Sequence, residues 1–428
     1  MTEFQTPTRV RGLVGPKVLA KSADLFDQSL NTIFRELFQN SRRAGATRID
    51  VTVVDQKNGS LITIADDGKG VDNPQILLTF GGSGWDEHLD TAENAAGMGF
   101  FSIASRGGTV RSTGWRVTLT PAVFRGTEEA IVLKEIDAIA GTQIEFSSRV
   151  DESPKVAVAQ AAKFLPIPVT LNGEPTHQEP FLKGAIFETS YAGITIGIYS
   201  DTRSSSVMEF NFHGVVASSD AKVRISEVFG SDYTVKFDVI EAPDLKLVLP
   251  TRHKVVENEF FDRLLSEAKK AVYTRIAALP SHTLPFKNAK EARDLGIDLP
   301  DATIKLSTWT ADKDDFAGWA TIGTEGTVDG SPAALVDFDE QSLNATFKTA
   351  IGEACGNIAF CNTQRAFIGY PAYDQLRQID HLRCMITLES DAQFELRLTD
   401  NEIVDHTAII AAAVAEGEPT SQLVAKSI

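Results

Sequence analysis

Between Glu36 and Thr142 the chain carries short signals in a fixed order, and that order restricts its fold more than composition does. Glu36, Leu37, Phe38, Gln39 and Asn40 close a helical run. Asp66, Asp67, Gly68, Lys69 and Gly70 follow an apolar strand. Gly97, Met98, Gly99 and Phe100 open a second helical run, and Gly141-Thr142 heads another strand.

The flanking patterns supply the elements. Leu25, Phe26, Leu30, Ile33, Phe34, Leu37 and Phe38 recur at spacings of three and four, which makes one apolar stripe. This predicts a helix over 22–43, capped by Ser22 and stopped by Gly45. Alternation over 48–54, the Asn58-Gly59 turn and a run over 60–65 predict a hairpin. A short helix is expected over 71–80, broken by Gly81-Gly82-Ser83-Gly84. Residues 85–96 are polar and aperiodic and read as a mobile loop. A helix from Phe100 to Ser105 and strands over 109–113, 115–120, 130–133 and 142–146 complete a first domain, 1–150.

A helix over 154–164, strands over 169–171, 184–188, 194–199, 207–212, 223–228, 234–239 and 247–249, and a long helix over 257–279 predict a second α+β domain, 151–280. Pro280, Pro285 and Pro300 mark a linker. Residues 281–428 read as that linker and a smaller α+β region of unassigned role. The expected class is therefore α+β throughout.

Composition narrows the function classes. In 428 residues, 43% are hydrophobic and 23% charged, enough apolar side chains for several cores. No apolar run reaches membrane-spanning length and Met1–Lys17 lacks a signal-peptide core, so a cytoplasmic protein without a membrane partner is expected. Cys355, Cys361 and Cys384 have neither disulfide nor zinc spacing and read as core residues. The formal net charge of -17 disfavours broad DNA binding and leans toward a protein partner.

Taken singly, each signal has an ordinary structural explanation. Glu36 and Asn40 lie four apart on one helix face, where a carboxylate can orient or deprotonate water and an amide oxygen can ligate a hard cation. Asp66, held by a glycine turn at a strand end, can accept a hydrogen bond from an exocyclic amine. The turn at Gly97–Phe100 presents N–H groups suited to phosphate oxygens.

In this order the residues resemble the GHKL superfamily: gyrase-type topoisomerases, heat-shock-90-type chaperones, histidine kinases and MutL proteins. The segment ELFQNSRRAGATRIDV (36–51) looks most like MutL, and GMGFFSI (97–103) more like the chaperones. The resemblance covers about 30–150 and implies a Bergerat α/β sandwich that binds ATP and magnesium. It implies Glu36 as general base, Asn40 as magnesium ligand, and Asp66 with Thr142 as readers of adenine. Gly68 and Gly70 match the adenine-side turn. Residues 81–96, with Ser83 and Gly84, match the lid, and Gly97, Met98, Gly99 and Phe100 its phosphate-gripping hinge.

One departure stands out. The family's acid three residues after the magnesium asparagine is replaced by Arg43, which can pair with Glu36 or, with Ala44, border the nucleotide. Absence of a phosphoacceptor-histidine helix argues against a histidine kinase. Further on, Leu249-Pro250-Thr251-Arg252-His253-Lys254 resembles the chaperone loop that carries an arginine to the γ-phosphate. Arg252 is the first candidate for that catalytic cation and Lys254 the second. The implied activity is a slow, magnesium-dependent ATPase, a conformational switch whose protomers close as a homodimer on ATP. A chaperone-like or remodelling action on protein is the leading expectation. A MutL- or topoisomerase-like DNA clamp, and a regulator without turnover, are the alternatives.

Overall fold

A computed structural model describes residues 28–82, 98–201, 207–248, 252–307, 325–327, 333–336, 359–379, 381–387, 393–399, 402–403 and 424–427. The chain forms two compact units, one of residues 1–224 and 233–271, the other of residues 225–232 and 272–428. Both contain helices and strands, as the α+β expectation required.

In the first unit, helix α1 spans Leu30–Arg43. Ser29 caps it, its Oγ accepting from the Thr32 N–H at 3.3 Å. The expected cap, Ser22, and the residues before Gln28 lie outside the described residues. The stripe behaves as its spacing dictates: Leu30, Ile33, Phe34, Leu37 and Phe38 are all buried. They lie against one face of an eight-stranded mixed sheet. Its strands are β1 (Ile49–Gln56), β2 (Gly59–Asp66), β3 (Gly108–Ser112), β4 (Trp115–Leu119), β5 (Val132–Lys134), β6 (Thr142–Ser147), β7 (Val169–Leu171) and β8 (Glu174–Pro175), in the order β5-β4-β3-β6-β2-β1-β7-β8. Burial alternates along β1 and β2, so Ile49, Val51, Val53, Ile62 and Ile64 point into the core while their neighbours face away.

Helix α2 (Pro154–Ala162) carries the chain from β6 to β7, which pairs with β1 in parallel. The domain end expected near Val150 therefore falls short of this sheet's edge. A parallel neighbour requires a crossover, and here the crossover is the helix assigned by sequence to the next domain. Asn172 secures the junction: its N–H donates to the Val51 carbonyl, and its Oδ1 accepts from the Val53 N–H at 2.7 Å.

A second sheet in this unit runs, in spatial order, Val215–Ser219, Met208–Phe212, Asp232–Val239, Ile194–Asp201 and Phe187–Tyr191. Phe210 stacks on Phe237 at 4.6 Å between ring centroids, and Phe261 packs on Phe210. The hairpin Met208–Ser219 turns through His213-Gly214, both with positive φ, and its second strand was not anticipated from sequence. Of the run expected over 247–249, Leu247 forms a bridge with Val255, and residue 249 lies outside the described residues.

Two expected α-helices are short 3-10 turns, Pro74–Leu78 and Gly99–Ile103. The first starts late because Asn73 Oδ1 caps the Gln75 N–H ahead of Pro74. The second keeps to one-in-three bonds, Phe101 N–H to Met98 and Ala104 N–H to Phe101, until Gly107 ends it.

The second unit has a helix over Phe286–Asp294 and short strands. Leu306, Leu335, Cys361, Phe367 and Tyr373 are buried together there, in keeping with Cys361 as a core residue. Among the described residues no helix is long and apolar enough to cross a membrane.

Replacing Asn172 tests the β1–β7 junction. Asn172→Ala leaves the Val53 N–H without its acceptor and puts alanine at φ 53. The expected loss is about 2 kcal/mol of unfolding free energy by urea titration. An unchanged midpoint would show that β7 is not held this way.

Candidate active site

The cleft begins at α1. Glu36 is buried on it, 8% exposed, and its Oε2 accepts from Arg252 Nη1 at 3.3 Å. Arg252 is 6% exposed and sits at φ 55, a conformation that costs a non-glycine residue about 1–3 kcal/mol. The surrounding bonds hold it. The Arg252 N–H donates to the Val248 carbonyl at 2.9 Å, and the next carbonyl, His253, accepts from the Ser218 N–H at 2.9 Å. The arginine is thus fixed by the edge strand Val215–Ser219 and delivered across to α1. Arg35, beside Glu36, feels both charges: burial lowers its pKa, Glu36 raises it and Arg252 lowers it.

Gly99 closes the other side of Glu36. A Cβ at position 99 would overlap Glu36 Oε2. Only glycine lets the backbone come this close to the carboxylate.

Asp66 stands at the opposite part of the cleft. Antiparallel pairing of Ala65 with Gln143, and of Ser112 with Thr142, brings Asp66, Thr142 and Ser112 side by side on three strands. Asp66 Oδ1 accepts from the N–H groups of Gly68 (3.0 Å) and Thr142 (3.2 Å), and Oδ2 accepts from Ser41 Oγ (2.8 Å). Gly141, at φ 72, packs so closely on the Asp66 carbonyl that a side chain there would collide with it. Burial pushes the Asp66 carboxyl up, against the pull of its three hydrogen bonds. Asp67, its neighbour, is partly exposed and held down at about 2 by Thr47 and the Arg48 N–H. Of the two acids in the DDGKG turn, only Asp66 faces a ligand space.

Between these ends lies a cleft of about 480 Å³, within the range of small-molecule sites. Of the residues singled out by sequence, Asn40, Arg43, Ala44, Asp66, Gly70, Gly99, Phe100, Thr142 and Arg252 line it. Glu36 stands behind the wall, between Arg252 and Gly99. Gly68 supports Asp66 from below, and Met98 packs on the core. Ser83, Gly84 and Gly97, with the expected loop over 85–96, lie outside the described residues. Lys254 is not brought to the cleft: its Nζ pairs with exposed Asp220 at 2.6 Å. The left-handed turn at Arg252 breaks the alternation that would set residues 252 and 254 on one side.

Several wall residues were missed. Ser41 follows Asn40 directly and was overlooked because serine is so common at helix ends. Asp72, Asn73, Ile76 and Leu77 line the cleft from the segment read as a helix over 71–80. Ser112 donates to the Gly141 carbonyl (2.7 Å) and accepts from the Val71 N–H (2.8 Å), joining three segments behind the wall.

Substituting Asp66 separates binding from stability. Its raised pKa means that the folded state favours the protonated form. The associated stability is full below the unfolded pKa and lost as pH rises through the folded one. Asp66→Asn keeps an acceptor for Gly68 and Thr142 while removing the buried charge. At neutral pH the ligand-free variant is expected to melt no lower than the parent, yet to bind ATP at least about tenfold more weakly in calorimetry. A lower melting temperature with unaltered binding would overturn this assignment.

The comparisons bear on the same segment. A family model described as "Histidine kinase-, DNA gyrase B-, and HSP90-like ATPase" matches residues 28–113. No curated protein matches the chain. Among solved structures, the ATPase region of Saccharomyces cerevisiae topoisomerase II is similar, alone and bound to ICRF-187 (dexrazoxane). Each of the two is 11% identical, covers 58% of this chain and 90% of that chain, and has a TM-score of 0.41. Residues 28–113, which carry α1, the first hairpin and much of the cleft wall, are thus the segment that is similar to GHKL-type ATPases.

Proposed function

We propose that the cleft binds ATP with magnesium and hydrolyses it slowly, and that the second sheet of the first unit reports its occupancy. The observation that carries this reading is the Glu36–Arg252 pair, which joins the base on α1 to a cation from the other sheet. The donor set fits the ligand. Asp66 Oδ2 retains a lone pair for an exocyclic amine beside the Ser41 bond. Apolar Val71, Ile76, Leu77 and Ile144 suit a flat ring, and Asn40 would supply an oxygen to magnesium. Magnesium, when bound, neutralises phosphate charge.

Arg252 stands between Glu36 and the cleft. A polyphosphate competes with the carboxylate for that guanidinium. Drawn toward the phosphates, Arg252 stabilises charge on the transferred group and leaves Glu36 to take a proton from water. Removing the terminal phosphate returns the arginine to Glu36, so the loop over 252–255 and its strand follow the state of the ligand. A net charge of -17 supports a protein rather than a nucleic acid as what this movement acts on.

Glu36→Ala is expected to retain nucleotide binding and to lose at least about a hundredfold in turnover. Undiminished turnover would remove Glu36 as the base. Light scattering on the full chain with a non-hydrolysable ATP analogue, with and without duplex DNA, tests the rest. The expected result is an analogue-dependent dimer that does not comigrate with DNA; comigration would favour the DNA clamp.

A further inference from the structure

Gln39 lies three residues beyond Glu36 on α1 and is 3% exposed. Its Nε2 donates to the His213 carbonyl at 2.6 Å, and its Oε1 accepts from Arg42 Nε at 3.2 Å. The carbonyl belongs to the tip of the hairpin Met208–Ser219. That tip is rigidly built. His213 and Gly214 take positive φ, the Gly214 N–H donates to Asn211 Oδ1 at 2.7 Å, and Gly214 packs against Leu165. From the tip, the strand Val215–Ser219 leads directly to the arginine loop: Ser218 N–H to the His213-distal carbonyl of His253, and Val255 N–H to the Ser218 carbonyl. Arg252 then returns to Glu36. The contacts form a closed circuit of two links across the same gap, one through Gln39 and one through the ion pair.

The two links are chemically unequal. The ion pair is the one a polyphosphate breaks. The amide-to-carbonyl bond is neutral and buried, and no ligand in the cleft competes for it. We infer that Gln39 is a positioning residue, which keeps the arginine-bearing strand in register with the helix carrying Glu36 while Arg252 changes partner. Without it, release of Arg252 from Glu36 would loosen the hairpin tip from α1, and the guanidinium would be aimed less closely at the phosphates. Sequence gives no hint of this role, because a glutamine beside the catalytic acid reads as a helix flank.

This inference rests on the hydrolysis reading above, and the test separates the two. Steady-state ATP turnover and the dissociation constant of a non-hydrolysable ATP analogue are measured for the full chain, Glu36→Ala, Gln39→Met, Arg252→Ala and the Gln39→Met/Arg252→Ala double variant. Gln39→Met is expected to lower kcat about tenfold with KM and analogue affinity unchanged. Added to Arg252→Ala, it is expected to cause no further loss, because the two residues act as one unit. Gln39→Glu, which retains size and the acceptor for Arg42 but cannot donate to His213, should reproduce the kcat loss if the methionine variant does not fold. An equal loss in both arginine backgrounds, an unchanged kcat, or weakened analogue binding would overturn the positioning role alone. Absence of ATP turnover in the parent chain, or full turnover by Glu36→Ala, would overturn the hydrolysis reading and this inference together.

Discussion

The ion pair between Glu36 and Arg252 is the contact on which the rest of the first unit depends. Two opposite charges, each under a tenth exposed, meet from segments 216 residues apart. Desolvating both is costly, and leaving either alone costs about 3–5 kcal/mol. The pair therefore persists only if the structure delivers both ends. Delivery takes a helix buried along one stripe, a glycine at 99, an arginine in a left-handed conformation and a strand edge that grips the adjacent carbonyl. A ligand that rewards the arginine elsewhere acts on all of these at once.

The other end of the cleft works by contrast between neighbours. Asp66 and Asp67 are consecutive acids with opposite environments. One is buried among N–H donors and a hydroxyl, with its carboxyl pushed up. The other, partly exposed, is bonded to Thr47 and the Arg48 N–H and held down at about 2. Asp66 is the last residue of β2, whereas Asp67 begins the turn and is held there by Thr47 and the Arg48 N–H. Asp67 anchors the turn after α1, while Asp66 faces the cleft.

Much of this was legible in the residues. The three-and-four spacing of Leu30 to Phe38 specified the helix and its buried face. Asn58-Gly59 specified the hairpin, and the order of acid, amide and glycine turns pointed to a GHKL-type site and to eight wall residues, with Arg252 added from the downstream loop. The misses have physical causes. The 3-10 turns at Pro74 and Gly99 carry apolar residues at spacings an α-helix would share. Strand β7 joins β1 of the first sheet through a parallel pairing that no short-range signal encodes.

The sequence by itself determined the chemistry available: a carboxylate and an amide one turn apart, an acid before glycines, and a basic segment far downstream. Local periodicity and turn chemistry act over a few residues, so they suffice for this much. Tertiary structure alone decided which cation reaches Glu36. Sequence ranked Arg252 first and Lys254 second, and a left-handed backbone at 252 with the grip of Ser218 sends the one to Glu36 and leaves the other with Asp220. That choice depends on strand pairing and burial between segments remote in the chain, which is where buried charge acquires its energetic weight.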